Sequence, residues 1–304
     1  MRYTIYAGSY FGIPVRIHFT FPLILIVFGV EAYMRGGWPE TARALLLTLS
    51  VFVCVVLHEF GHSLQVRRYG IRVRDVVLLP IGGMARADRI PEVPRQEIVV
   101  AISGPLVNFA LAAVIFAVMF VFDIPIGPEP DYLTSLFAIN LVLGTFNLIP
   151  AYPMDGGRIL RGLLAYKLNY LRATRYATVV GQLIALVFVV IGFRYHQLMM
   201  LPVIGVFVFV GAMTEESAIR ARYLLGERRI RDFVDPDPSP VSDLTLAGAA
   251  GLPVIDAETP ALQVYYALLS RKHNKAVVVD DGGIIGTVNL DRLRRFDSLP
   301  EVPR

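Results

Sequence analysis

Apolar runs of roughly 20 residues recur along most of this chain, and that recurrence constrains its fold more than any other feature. A run of that length crosses a hydrocarbon core about 30 Å thick. The spans read from the sequence are roughly 18–34, 41–66, 97–122, 132–153, 173–193 and 197–217. Composition agrees: 55% of the 304 residues are hydrophobic, 18% are charged, and mean hydropathy is +0.57. Soluble domains carry about 25% charged residues. The net charge of +4 does not point to nucleic acid, because the charges lie in the loops between apolar runs. The N-terminal segment lacks the pattern of a cleaved signal peptide, so the first helix is expected to remain in the mature protein. The single cysteine, Cys54, lies inside an apolar run and reads as a small core residue.

Loop charges orient the chain. Arg67, Arg68, Arg72, Arg74, Arg86, Arg89 and Arg95 crowd the second loop, and Arg158, Arg161, Lys167, Arg172 and Arg175 another. The 123–131 loop holds Asp123, Glu129 and Asp131 with no basic residue. Positive charge marks the cytosolic side, which predicts a multi-pass cell-membrane protein with both termini in the cytosol.

The stretch 71–95 is β-branched with Gly82-Gly83 at its middle, which reads as short strands. Unpaired backbone is costly in lipid, so such strands must be paired or buried in protein. Asp235-Pro236-Asp237-Pro238-Ser239-Pro240 reads as a stiff extended linker. The expected domains are a transmembrane region over 1–220, a linker over 221–240 and a small cytosolic unit over 241–304.

Within the second span stands His58-Glu59-Phe60-Gly61-His62. On a helix, His58 and His62 lie one turn apart on one face, so both imidazoles can reach one metal. Glu59 can reach a water on that metal and serve as general base. Ionisable side chains at membrane depth are expensive and mark functional sites by default. A catalytic zinc needs a third protein ligand and an open position. Asp155 fills that role. It follows Asn147, Pro150 and Pro153 at the end of the fourth span, which runs in the same direction as the second and ends at a similar depth. Other divalent metals could occupy the same ligands. His18, His196 and His273 read as interface or surface residues. Asn108 and Asn147, both in apolar surroundings, read either as helix–helix hydrogen-bonding groups or as supports for a substrate carbonyl.

In this order and spacing, HEFGH, LLPIGGMA, GPLVN and NLIPAYPMDGGRIL resemble the site-2 protease family of intramembrane zinc metalloproteases. The resemblance covers roughly residues 1–220 and is closest to the prokaryotic branch with six spans and a C-terminal CBS region. It implies one zinc per chain on His58, His62 and Asp155, with Glu59 as base. It implies a membrane-embedded sheet around Gly82 and Gly83 beside the active site, and it matches Asn147 to an asparagine of the second motif. The substrate expected is a transmembrane or membrane-associated segment of another protein. The stretch 259–296 is similar to one CBS motif, read as helix, strand, turn at Asp281-Gly282-Gly283, strand and closing helix. Such modules pair, and in the family they bind adenine nucleotides. A homodimer through this unit is therefore expected, with a ligand-free packing module as the alternative. The fold class is thus an α-helical polytopic membrane protein of about six helices, with a short β region and a small α/β CBS-like unit. Rival readings are a membrane zinc hydrolase of non-peptide substrates, a metal-binding transporter, and a nucleotide-sensing scaffold.

Overall fold

The computed structural model describes residues 3–80, 82–88, 93–124, 131–226, 228–235, 252–271, 273–281 and 283–294. The Pro-rich linker beyond Asp235 and the middle of the acidic 123–131 loop lie outside them, as does Gly282. Two compact units divide between Ala212 and Met213.

The first unit begins with a pair of strands, β1 (Thr4–Tyr10) and β2 (Ile13–His18), and continues into α1 (Phe21–Arg68). A straight helix of 48 residues would run about 72 Å, more than twice a bilayer core. It does not run straight. Gly36 and Gly37 leave the helical conformation, Gly37 with φ 67°, and Pro39 follows. The chain doubles back there. The Phe21 and Phe52 ring centroids lie 4.6 Å apart, although a straight helix would separate them by about 46 Å. Residues 21–35 and 38–68 thus form an antiparallel helical hairpin, at the boundary expected between the first two spans.

The hairpin is the crossover between β2 and β3 (Val73–Leu79), which pair in parallel. β4 (Gly82–Ala87) returns antiparallel to β3, and β1 pairs antiparallel with β2, giving the order β1-β2-β3-β4. The strands expected over 71–95 are present. The two N-terminal strands were not expected, and they carry α1's start back to residue 21. The inward face of the sheet holds Ile13, Val15, Val73 and Val76, packed with Phe60 and Val66 of α1 and Val100 of α2 (Pro94–Val121). Asp75 of β3, 3% exposed, is bound by Arg86 of β4 (Nε to Oδ1, 2.6 Å) and Arg16 of β2 (Nε to Oδ2, 3.1 Å). The Arg86 guanidinium, followed by that of Arg16, holds the Asp75 carboxyl below the usual carboxylate range.

α3 (Tyr132–Asn147) starts where the Asp131 carboxylate accepts from Thr134 N at 2.7 Å. At 16 residues it is shorter than the span expected over 132–153, because the chain leaves the helix after Asn147 and turns through Pro150 and Pro153. α4 (Asp155–Ala165) and α5 (Tyr170–Arg194) follow, then α6 (Met200–Leu225). Among the described residues four helices are long and apolar enough to cross a membrane: α1, α2, α5 and α6. That is fewer than six because α1 contains two helical arms and α3 is short.

The second unit takes in the end of α6. Ala221, Leu225, Ile230 and Phe233 are buried in its core with Val264, Leu268, Val278 and Leu293. The first four of these residues lie in the stretch expected as a linker. Its strands β5 (Val254–Asp256), β6 (Lys275–Asp280) and β7 (Gly283–Asn289) form a three-stranded sheet, with β5 parallel to β6 and β7 antiparallel to it. Helices α7 (Ala261–Arg271) and α8 (Leu290–Arg294) pack through Val264, Leu268 and Leu293.

Candidate active site

Helices α1 and α2 touch backbone to backbone where the polar motif lies. A Cβ on Gly61 would sit 2.6 Å from the Ser103 carbonyl oxygen, so no larger residue fits at that crossing. This closeness turns His58 and His62 against α2. The His62 Nδ1–H donates to the Val100 carbonyl at 2.7 Å. The His58 Nδ1–H donates to Asn108 Oδ1 at 2.6 Å, while the Asn108 amide donates to Asn140 Oδ1 of α3 at 3.0 Å. Asn108 and Asn140 are both fully buried. Each partner accepts at Nδ1, and this leaves each Nε2 as a free lone pair.

Both lone pairs point at the same place. The two Nε2 atoms are 3.1 Å apart, and Asp155 Oδ2 lies 3.1 Å from that of His62 and 3.3 Å from that of His58. Three ligand atoms held 2.0–2.1 Å from one ion at tetrahedral angles would lie about 3.3 Å apart. The three residues are buried, and they are the metal-competent cluster of acidic, histidine or cysteine groups found among the described residues. Three electron-pair donors at this spacing repel one another until a cation sits among them. The residues fit a tetrahedral divalent metal with one position left open.

Asp155 follows the break after α3, as the prolines suggested, and it is the first residue of a new helix, α4. The turn 148–154 folds under that helix, and Gly156 and Gly157 make the contact: a Cβ on Gly156 would lie 2.5 Å from the Ile149 carbonyl carbon, and one on Gly157 2.7 Å from Tyr152 N. The Gly pair therefore seats Asp155.

Glu59 stands apart from this cluster, against the sheet. Its Oε2 accepts from Ala85 N of β4 at 3.0 Å. A Cβ on Gly83 would lie 2.7 Å from Glu59 Cγ, so a glycine lets β4 lie directly over this carboxylate. Gly82 has φ +141°, a value glycine tolerates, at the start of the same strand. Asn108 lies behind His58, out of solvent. Asn147 closes α3, and its amide donates to the Leu143 carbonyl at 2.9 Å.

Four contributors were not read from the sequence. Gly104 of α2 faces the cluster: a Cβ there would press on His62 Nε2 and lie 2.5 Å from its Cε1 and 2.7 Å from His58 Nε2. Asn140, a lone amide in an apolar helix, carried a signal that could have found it. The Val100 carbonyl carried none, because backbone acceptors have no sequence signature. The fourth is an ion pair between Glu97 of α2 and Arg161 of α4, fully buried on both sides.

Comparison with known proteins identifies the family. Residues 46–127 and 129–188 match peptidase family M50. A zinc metalloprotease of Methanocaldococcus jannaschii is 33% identical over 300 residues, covering 97% of this chain and 80% of that protein. Stage IV sporulation protein FB of Bacillus subtilis is 31% identical over 135 residues, 44% of each chain. The solved site-2 protease from Methanocaldococcus jannaschii superposes with a TM-score of 0.53 at 39% identity, over 70% of this chain and 95% of that one. The chain belongs to peptidase family M50, the site-2 proteases. It is a metalloprotease of a membrane family.

Proposed function

We propose that this protein cuts peptide bonds within or next to transmembrane segments of other proteins, using one zinc held by His58, His62 and Asp155. The observation that carries this reading is the convergence of two Nε2 atoms and one carboxylate oxygen within 3.3 Å of one another, beside a carboxylate that is not part of the cluster. Zinc there would polarise the scissile carbonyl and bring the pKa of a coordinated water toward neutrality. Glu59 takes a proton from the attacking water and later passes it to the leaving amine. Its bond from Ala85 N fixes one carboxylate oxygen and leaves the other for that proton. His58 and His62 stay in the Nδ1–H form through Asn108 and Val100.

A helical substrate hides its carbonyls in hydrogen bonds, so the segment must unwind before attack. β4 supports a landing place for it. Among the described residues β4 pairs only with β3, so its other edge can accept an added strand. Gly82 and Gly83 put no side chain in the way, and the strand lies on Glu59. Asn147 is assigned as a support for the substrate, and Asn108 as the partner that orients His58. Six membrane crossings with both termini in the cytosol are part of this reading, supported by the two arms of α1, by the apolar helix α3 and by the Arg-rich loops. The second unit is assigned as a CBS-like cytosolic module that pairs with a second copy and takes an adenine nucleotide. The support is its strand–helix–strand–strand–helix order with one parallel and one antiparallel pairing.

The test is to incubate the purified full-length protein with a panel of transmembrane-segment substrates and locate the new termini by mass spectrometry. Cuts inside or beside the apolar segment are expected, abolished by a zinc chelator. Chelator-resistant cuts, or cuts confined to soluble flanks, would overturn the proposal.

A further inference from the structure

The metal ligands come from two helices, α1 and α4, that must be held in register to a fraction of an ångström. Helix α2 is the element both are measured against. Val100 receives the His62 Nδ1–H, Asn108 receives that of His58, and Gly104 gives the cluster room. One turn before Val100, on the same helix, stands Glu97.

Glu97 and Arg161 are each 0% exposed. Arg161 Nε donates to Glu97 Oε1 at 2.7 Å, and Nη2 donates to the same oxygen. The guanidinium also lies 4.9 Å from the Tyr170 ring centroid and 5.6 Å from that of Tyr152. Tyr152 belongs to the turn that leads into Asp155, and Tyr170 opens α5. Beside Arg161, Gly162 brings α4 onto α2: a Cβ there would lie 2.6 Å from Ile98 Cγ1. One cation therefore ties together α2, α4, the turn before Asp155 and the start of α5.

A fully buried ion pair is a poor source of stability, since desolvation offsets most of the attraction, and apolar replacements are often as stable. Its directional, two-bond geometry is better suited to fixing register. We infer that Glu97 and Arg161 are a positioning pair that sets Asp155 against His58 and His62, so that the affinity of the site for its metal depends on two residues that do not touch the metal. This rests on the ligand assignment proposed above. Partners that orient metal ligands typically change affinity 10–100-fold when removed.

The test uses full-length protein in detergent, stripped of metal and titrated with zinc against a competing chelator. The variants are Arg161→Lys and the double variant Glu97→Leu/Arg161→Met. The thermal midpoint of each metal-free protein is recorded alongside. The double variant removes both charges together and leaves no buried orphan ion, so its metal-free midpoint is expected near that of the wild type. Its zinc affinity is expected to fall 10–100-fold. Arg161→Lys keeps the cation but loses the planar fork, and a fall of several-fold is expected. Wild-type zinc affinity in both variants, whatever their midpoints, would overturn the inference while leaving the ligand assignment intact. Absence of zinc binding by the wild type itself would instead remove the ligand assignment. If the double variant does not fold, Arg161→Lys alone decides.

Discussion

Gly104→Ala adds one methyl group to α2, at the point where that helix faces the two imidazoles. Its carbon would lie 2.5 Å from His62 Cε1 and 2.7 Å from His58 Nε2. Comfortable separations begin at roughly 3.5 Å, so the rings or the helix must retreat by about 1 Å. Metal sites tolerate ligand displacements of about 0.2 Å. The methyl group therefore asks for several times the movement the site allows, and it stands where the two lone pairs converge. Loss of zinc affinity by more than about 100-fold is expected, exceeding the usual effect of an orienting partner. Folding should survive. Alanine is better than glycine inside a helix by about 1 kcal/mol, against roughly 1–3 kcal/mol for overpacking. The assay is zinc titration of metal-stripped protein, with circular dichroism and a thermal midpoint to establish folding. A folded Gly104→Ala protein that binds zinc like the wild type would refute the placement of α2 against the cluster.

Other outcomes follow from the same geometry. Asn108→Ala removes the acceptor that holds the His58 Nδ1–H and should lower zinc affinity 10–100-fold, while Asn108→Asp, which keeps an oxygen there, should lower it less; chelator competition reads both. Gly83→Val should push β4 off Glu59 and lower peptide cleavage far more than zinc content, measured on one preparation. Asp75, with its carboxyl depressed by Arg86 and Arg16, contributes stability that is complete above the ordinary carboxylate pKa of about 3.9. That contribution is lost as pH falls below this value toward the lower pKa of the folded state. Thermal midpoints recorded from pH 6 to about pH 3 should fall more steeply for the wild type than for Asp75→Asn, and parallel curves would contradict the pairing.

The convergence of His58, His62 and Asp155 was legible because its parts are local or set by the direction of the chain. His58 and His62 sit one helical turn apart, and Asp155 is the acidic residue that the direction of the chain brings to the same depth. The strands around Gly82 were legible from β-branched content and the Gly pair. The strands Thr4–Tyr10 and Ile13–His18 were not, because β2 pairs in parallel with β3 across the whole of α1. The end of α3 at Asn147 escaped because hydropathy continues through Leu148 and Ile149, while the prolines beyond break the helix. Glu97 and Arg161 were visible as charges, and Arg161 was read as part of a basic loop; a pairing across 64 residues is a tertiary fact. Gly104 could be seen in its motif, but its purpose lies in what a side chain would strike.

In the proposed reaction, zinc on His58, His62 and Asp155, with Glu59 as base, hydrolyses peptide bonds of membrane segments. The most direct test compares wild type and Glu59→Gln in matched detergent preparations, measuring zinc content and turnover of one cleavable transmembrane substrate. About one zinc per chain is expected in both proteins, with turnover lowered by about 10²–10⁴-fold in the variant. Full turnover by a zinc-loaded Glu59→Gln protein, or a wild type that holds no zinc, would contradict it.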